Sequence, residues 1–426
     1  MGTTTNAWNN VTITNSTTTL TSDLNISGTL NVNNVSFTSS TGNVNLIGSL
    51  TVAGTTGVYG TATLNFTGTG TWSHLSTGIV QNNININTSG TLTISGTLYY
   101  QIGTITYTTG TVISTGSTLI LYSAQNLNTN TMVWNNITFA SNGSYAMSIS
   151  SDLYLAGNFI FGGNGTLSGA FNIYCYNFTI NNSTSGAATV VATMSQNVYV
   201  YSTLTFGTSS NGTGSNGANF YVNGNLSLGN GGGNAGTSNI FLTGTGSITG
   251  TNTFNHPLTI NSNGLITIPT QLAITSSNFV YLRGTVESSN ATLICGTASA
   301  SQTLTNIDKI VWRNVRVTGN SQLSMNQFFN GSPKVLTTVS ASTSTNYSVV
   351  FTDNQEKFSK FIKLSGTTVT NTNQLNVITN KGNLGGNVGI RFSPNTKPNG
   401  FAKNNPSVPN QQTFGFGGIL ADPIFS

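Results

Sequence analysis

Charge is what this 426-residue sequence has least of, at 4% of residues against an average of about 25%. From Met1 to Leu282 the only charged residues are Asp23 and Asp152, and every Lys and Arg lies at or after Arg283. A chain so poor in charge is not a disordered polyelectrolyte. Its long first part also lacks the acids, bases and cations on which most enzyme chemistry runs. Cysteine is nearly absent. Cys175 and Cys295 each sit in an apolar, strand-like setting and read as two buried thiols, with a bridge between them left open. Clustered His, Cys or carboxylates of the kind a metal needs are missing, so neither metal nor other cofactor is expected. There is no run of 18 apolar residues, hence no expected membrane insertion. The N-terminus shows no basic stretch followed by an apolar one, so no secretory signal is expected. Amphipathic helical periodicity is absent throughout. Proline numbers eight, five of them after Arg391.

Thr, Ser, Asn and Gly fill the gap. They alternate with Val, Ile, Leu, Phe and Tyr in short strings closed by Gly, such as Leu24-Asn25-Ile26-Ser27-Gly28, Leu50-Thr51-Val52-Ala53-Gly54 and Leu92-Thr93-Ile94-Ser95-Gly96. Period-two alternation puts the aliphatics on one face and the small polar residues on the other. Thr, being β-branched, suits a strand. Gly and the recurring Asn-Gly pairs (Asn142-Gly143, Asn164-Gly165, Asn223-Gly224, Asn263-Gly264) suit tight corners.

A wider repeat encloses these strings. Trp8-Asn9-Asn10-Val11-Thr12-Ile13 returns as Trp134-Asn135-Asn136-Ile137-Thr138-Phe139 and again as Trp312-Arg313-Asn314-Val315-Arg316-Val317. Trp8, Trp134 and Trp312 are read as core plugs at the entry of a repeated β unit. Asp23-Leu24 follows the first copy as Asp152-Leu153 follows the second, which gives Asp23 and Asp152 a corner or cap role. Gly68-Thr69-Gly70 precedes Ile84 to Ile94 and then Trp134; Gly244-Thr245-Gly246 precedes Leu258 to Ile268 and then Trp312. Signals returning in fixed order mark an array of stacked units.

The fold expected is all-β: a parallel β-helix (β-solenoid) of irregular repeats over residues 1–320, with inward apolar residues stacked from coil to coil. A chain of β-sandwich domains is the alternative. Near residue 320 Lys, Arg, Pro and Phe rise together, so a smaller C-terminal β domain is expected at 321–392. A Pro/Gly-rich extended tail follows at 393–426, where proline forbids a central strand.

Residues equipped for chemistry are few. Polysaccharide-cleaving sites need paired carboxylates, and the best cluster is Glu287 and Asp308 with Arg283, whose plain reading is an exposed salt link. His74 and His256 read as wall residues. The Gly-rich stretches 211–217 and 229–234 lack the Lys and following helix of a phosphate loop and read as turns. No catalytic residue is assigned, and no nucleic-acid partner is expected, because the basic residues are not interleaved with aromatics. The C-terminal excess of cations could still meet an acidic partner; its plain reading is solubility.

The Gly-Thr-Leu-x-Val/Ile strings (Gly28-Thr29-Leu30-Asn31-Val32, Gly90-Thr91-Leu92-Thr93-Ile94), together with a distinct C-terminal part, resemble the fibre, spike and decoration proteins of bacteriophages and large viruses. That resemblance covers roughly residues 1–320 and implies a structural, non-enzymatic protein at a virion surface or in an extracellular fibre. It further implies copies of itself as partners, as in a trimer, with other particle proteins and a host-surface glycan beside them. The same strings resemble bacterial adhesin solenoids, which implies a secreted or surface glycan-binding protein as the alternative. Two further alternatives rank lower: a polysaccharide-degrading tailspike, and an ice-binding face built on the Thr-x-Thr pairs 61–63, 91–93 and 104–106.

Overall fold

The computed structural model describes residues 7–14, 18–39, 41–123, 125–140, 145–162, 165–180, 190–207, 213–229, 236–251, 253–276, 278–296, 301–318, 320–332, 334–341, 347–352, 357–360, 362–369, 375–378 and 390–393. Among them the chain is built of short strands, with one 3₁₀ turn at Ile307–Lys309 and no α-helix. The strands are the alternating strings. Most coils carry three, one per face of a triangular solenoid: Leu24–Ile26, Thr29–Asn33 and Phe37–Ser39 in one coil, Val44–Leu46, Ser49–Ala53 and Val58–Gly60 in the next. Each pairs in parallel with its successor, Leu24 with Val44, Thr29 with Ser49 and Phe37 with Val58. Long strands such as Ile173–Ile180 and Asn197–Phe206 bend over a corner and serve two faces. Pairing runs always to the neighbouring coil and never back to the start, so this is a stacked helix and not a closed barrel.

Burial follows the alternation. Thr29–Asn33 and Ser49–Ala53 bury Leu30, Val32, Leu50 and Val52 and turn Thr, Asn and Ser outward. Because the coils stack in register, inward residues form continuous rows: Ile26, Leu46, Phe66 and Ile86 on the first face, Phe139, Phe161, Ile180, Phe206 and Leu228 on the third. Each such side chain contributes about 1.5–3 kcal/mol when fully buried. Coils also approach closely at the corners. A Cβ on Gly28 would collide with the Asn9 carbonyl oxygen of the preceding coil, which is why the strings close on glycine.

The duplication is visible in matched contacts. Tyr107 Oη donates to the Gly110 carbonyl at 2.6 Å and Tyr281 Oη to that of Gly284 at 2.5 Å. Ser114 Oγ donates to the Val133 carbonyl and Ser288 Oγ to that of Val311, both at 2.8 Å. Register slips recur after Ile86 and after Ile260. The second copy is, however, turned. Residues 83–86 lie on the first face, whereas the corresponding 258–260 continue the ladder of the second, through 133–134, 153–155, 173–175, 197–200, 219–222 and 239–242. Eight coils and one face thus separate the copies.

Three expectations are corrected. Trp134 and Trp312 are fully buried, but Trp8 is 64% exposed. It pairs with Ile26 at the head of an inward row, and no described coil lies beyond it, so the motif is kept while the burial is lost. The compositional change near residue 320 marks no break in the ladders. Asn314–Val317 pairs with Thr337–Ala341, and Gln322–Met325 with both Ser301–Thr305 and Tyr347–Phe351. New charges fall on outward positions while inward ones stay apolar (Leu323, Met325, Val349), so the region expected as a separate domain continues the solenoid through Val369. Strands Lys357–Lys360, Leu375–Ile378 and Ile390–Ser393 form a further parallel set. Of the first Gly-rich stretch, expected as a turn, Thr213–Asn216 is instead a strand paired with Val190–Met194, with Ser215 taking the inward position. The tail from 394, Asn142-Gly143, residues 211–212 and residues 230–234 lie outside the described residues.

Candidate functional site

Asp23 and Asp152 do the same work. Each precedes the first residue of a strand, and its Oδ1 accepts the backbone N–H one coil on: Asn43 for Asp23 and Asn172 for Asp152, both at 2.9 Å. Asparagine does this elsewhere, with Asn43 Oδ1 accepting from the Thr63 amide and Asn136 Oδ1 from that of Asn158. These carboxylates are corner ties between coils.

Glu287, Asp308 and Arg283 are not drawn into one cluster. Arg283 Nε donates to Asn261 Oδ1 at 2.8 Å, and Asp308 lies 3.5 Å from Lys309, the one ion pair among the described residues. Glu287 lines a pocket of about 230 Å³ with Thr267, Ile268, Pro269, Ser289 and Asn290, a lining with a single carboxylate. Among the described residues no group of three His, Cys, Asp or Glu could hold a metal.

His74 and His256 are buried. Trp72 Nε1 donates to His74 Nε2 at 3.2 Å; His256 Nδ1 lies 3.2 Å from the Ser238 carbonyl, its ring against Phe206 and Phe254. Burial lowers both pKa values to about 4. Cys175 and Cys295 are free and buried; burial pushes the Cys295 thiol up to about 12 and the Cys175 thiol up as well, so neither is poised as a nucleophile. The Thr-x-Thr pairs are scattered: Thr91 and Thr93 lie on the second face, Thr104 and Thr106 on the first.

The most organised outer surface was not singled out by the sequence. On the second face Tyr154, Tyr174, Tyr199, Tyr221 and Phe241 stack ring on ring, with centroids 4.9, 4.8, 5.0 and 5.0 Å apart. Two residues earlier in each coil runs an amide ladder, Asn239 to Asn219 to Asn197 to Asn172, each Nδ2 donating to the next Oδ1 at 2.9, 3.1 and 3.3 Å. Tyr176 and Tyr201 stand exposed, 53% and 56%, at the corner beside it. Period-two alternation was the legible signal. The column itself was hidden, because its members are separated by coil lengths that vary with each loop.

No protein-family model, no curated protein and no solved structure matches this chain. Ring edges, phenolic hydroxyls and amides along one neutral strip can hold a ligand by hydrogen bonds and apolar contact; within the strip only the Asp152 carboxylate, near the Tyr154 hydroxyl at 3.5 Å, carries charge.

Proposed function

We propose that this chain is a non-enzymatic structural rod, self-associated into a homo-oligomer, that serves at a virus-particle surface or in an extracellular fibre. The observation that carries this reading is the continuous parallel stack with an almost charge-free wall. A neutral wall lets copies pack side by side with little desolvation of ions, and an end-to-end apolar interior makes a stiff element. The viral or fibre setting rests on the resemblance of the Gly-Thr-Leu strings. Light scattering with negative-stain imaging tests it: elongated particles of more than one chain are expected, whereas a compact monomer that depolymerises a polysaccharide would end the proposal.

The aromatic strip favours a second reading, a surface adhesin that holds a neutral glycan along the second face. Exposed Tyr faces give sugars an apolar platform while Asn amides and phenols bond their hydroxyls. Affinity electrophoresis in neutral polysaccharides checks this: Tyr176→Ala with Tyr201→Ala should abolish retardation, and unchanged retardation removes the strip as the binding surface.

A further inference from the structure

The internal duplication is a control for the charges. Arg313 and Arg316 stand where the first copy has Asn135 and Thr138. The backbone frame is the same in both: Asn136 Nδ2 donates to Thr118 Oγ1 and Asn314 Nδ2 to Thr292 Oγ1, each at 3.5 Å, within matching parallel pairings. A wall of this design is therefore complete without cations. It also needs none to face water, since the first copy has no Lys or Arg at all. Arg283 also replaces a neutral residue, but it bonds Asn261 within the fold; Arg313 and Arg316 have no such use among the described residues, and their charges point to something outside the fold.

The cations also gather. Arg313 and Arg316 are exposed at and just before the strand Asn314–Val317. On the following coils Lys334 precedes Thr337–Ala341, while Lys360 precedes and Lys363 lies within Ile362–Ser365. Thr338 pairs with Asn314 on one side and Lys363 on the other. Lys363 is thus two coils from Asn314 and, offset two residues along the strand, roughly 12 Å from Arg316 at the usual inter-strand spacing and rise per residue. The single ion pair among the described residues joins Asp308 to Lys309, so no described acid neutralises these five.

We infer that this face of the C-terminal coils binds an anionic polysaccharide, one bearing carboxylate or sulfate groups along its length. A linear polyanion can follow the coil axis and meet a cation on successive coils, and a surface of one sign concentrates it. Single-stranded nucleic acid is disfavoured, because its binding surfaces supply aromatic rings for base stacking; beyond Tyr201 no large aromatic is exposed among the described residues. The inference goes beyond the rod reading and is separate from the aromatic strip, which has no cation.

The test uses the full chain with heparin as the sulfated probe, dextran as the neutral one and a short duplex DNA. Heparin should bind at low salt and be released as added salt screens the contacts, whereas any dextran retention, which would belong to the aromatic strip, should not depend on salt. The triple exchange Arg313→Asn, Arg316→Thr and Lys363→Thr installs the first copy's residues at two positions and the in-row neighbour's type at the third. It should weaken heparin binding roughly tenfold or more, as loss of several counterion-releasing contacts does, at an unchanged unfolding midpoint. Arg316→Thr alone, read alongside in case the triple variant unfolds, should lower affinity about threefold on the same ground. Arg283→Thr, which restores the first copy's Thr109 on a different face, should bind as the parent. No heparin binding by the parent, parental affinity in the Arg316 and triple variants, or tighter binding of duplex DNA than of heparin would each overturn the inference. Elongated particles seen in the same preparations would leave the rod reading standing.

Discussion

Trp134 and Trp312 each carry a buried Nε1–H with no partner among the described residues, a cost shared by both copies and outweighed by the ring's packing. Truncating either to Ala should cost about 3–5 kcal/mol, whereas Trp8→Ala, at an exposed end, should cost less than about 1 kcal/mol; urea unfolding distinguishes the two. Trp72 is equally buried and stacks on Phe66 at 5.6 Å, yet it stands outside the Trp-Asn-Asn pattern and so was not recognised as a plug. The histidines set a pH dependence. Both side chains fall from a pKa of 6.5 to about 4 on folding because burial disfavours the charged ring, so the unfolded chain takes up protons first. Their contribution is full above pH 6.5 and is lost as pH falls from 6.5 towards 4, on the order of 3 kcal/mol for each. Protonation would turn His74 Nε2 into a donor facing the Trp72 donor, and would bury an unpaired N–H at His256 Nε2. Urea midpoints at pH 7 and 4.5 measure the loss, and His256→Phe should flatten part of the profile.

Between coils, side-chain ladders add to the backbone pairing. Asn65 donates to Asn45 at 2.8 Å and accepts from Asn85 at 3.2 Å, so Asn65→Ala should cost about 1–2 kcal/mol in the same unfolding experiment. Glycines differ by position. Gly110 holds φ +116° and a Cβ there would strike Thr88, while Gly116 at φ +76° has open space. Gly110→Ala should therefore destabilise by clearly more than the roughly 1 kcal/mol set by backbone strain alone at Gly116→Ala. At this scale the sequence was most readable, since alternation fixes which side of a strand meets the core and glycine marks where coils nearly touch. What alternation cannot state is which strand lies over which. That depends on loop lengths, and it concealed both the Tyr154-to-Phe241 stack and the separate surroundings of Glu287 and Asp308.

A solenoid whose wall carries only the Asp23 and Asp152 charges from its first described coil to Leu282 has little to gain or lose from ions. Its unfolding free energy should change by less than about 1 kcal/mol between roughly 0.05 and 0.5 M NaCl, a range that screens exposed charge pairs; denaturant titrations at the two salts give the value. The all-β solenoid class was legible because every level agreed, from propensity through alternation to repeat order. The boundary placed near residue 320 was not real in the ladders, because composition there reports the outer surface and the ladders follow the inner one.

The turned duplication settles how inherited features are displayed. Trp8 leads a strand onto the second face, Trp134 onto the third and Trp312 onto the first. Ancestral equivalents accordingly wind about the axis like treads of a spiral stair, roughly a third of a revolution per motif. A patch that evolved on one tread could not lie beside its sibling against the same flat substrate. Each copy has been free to face a different neighbour, and the neutral first unit and cationic second unit are what such independence would leave behind.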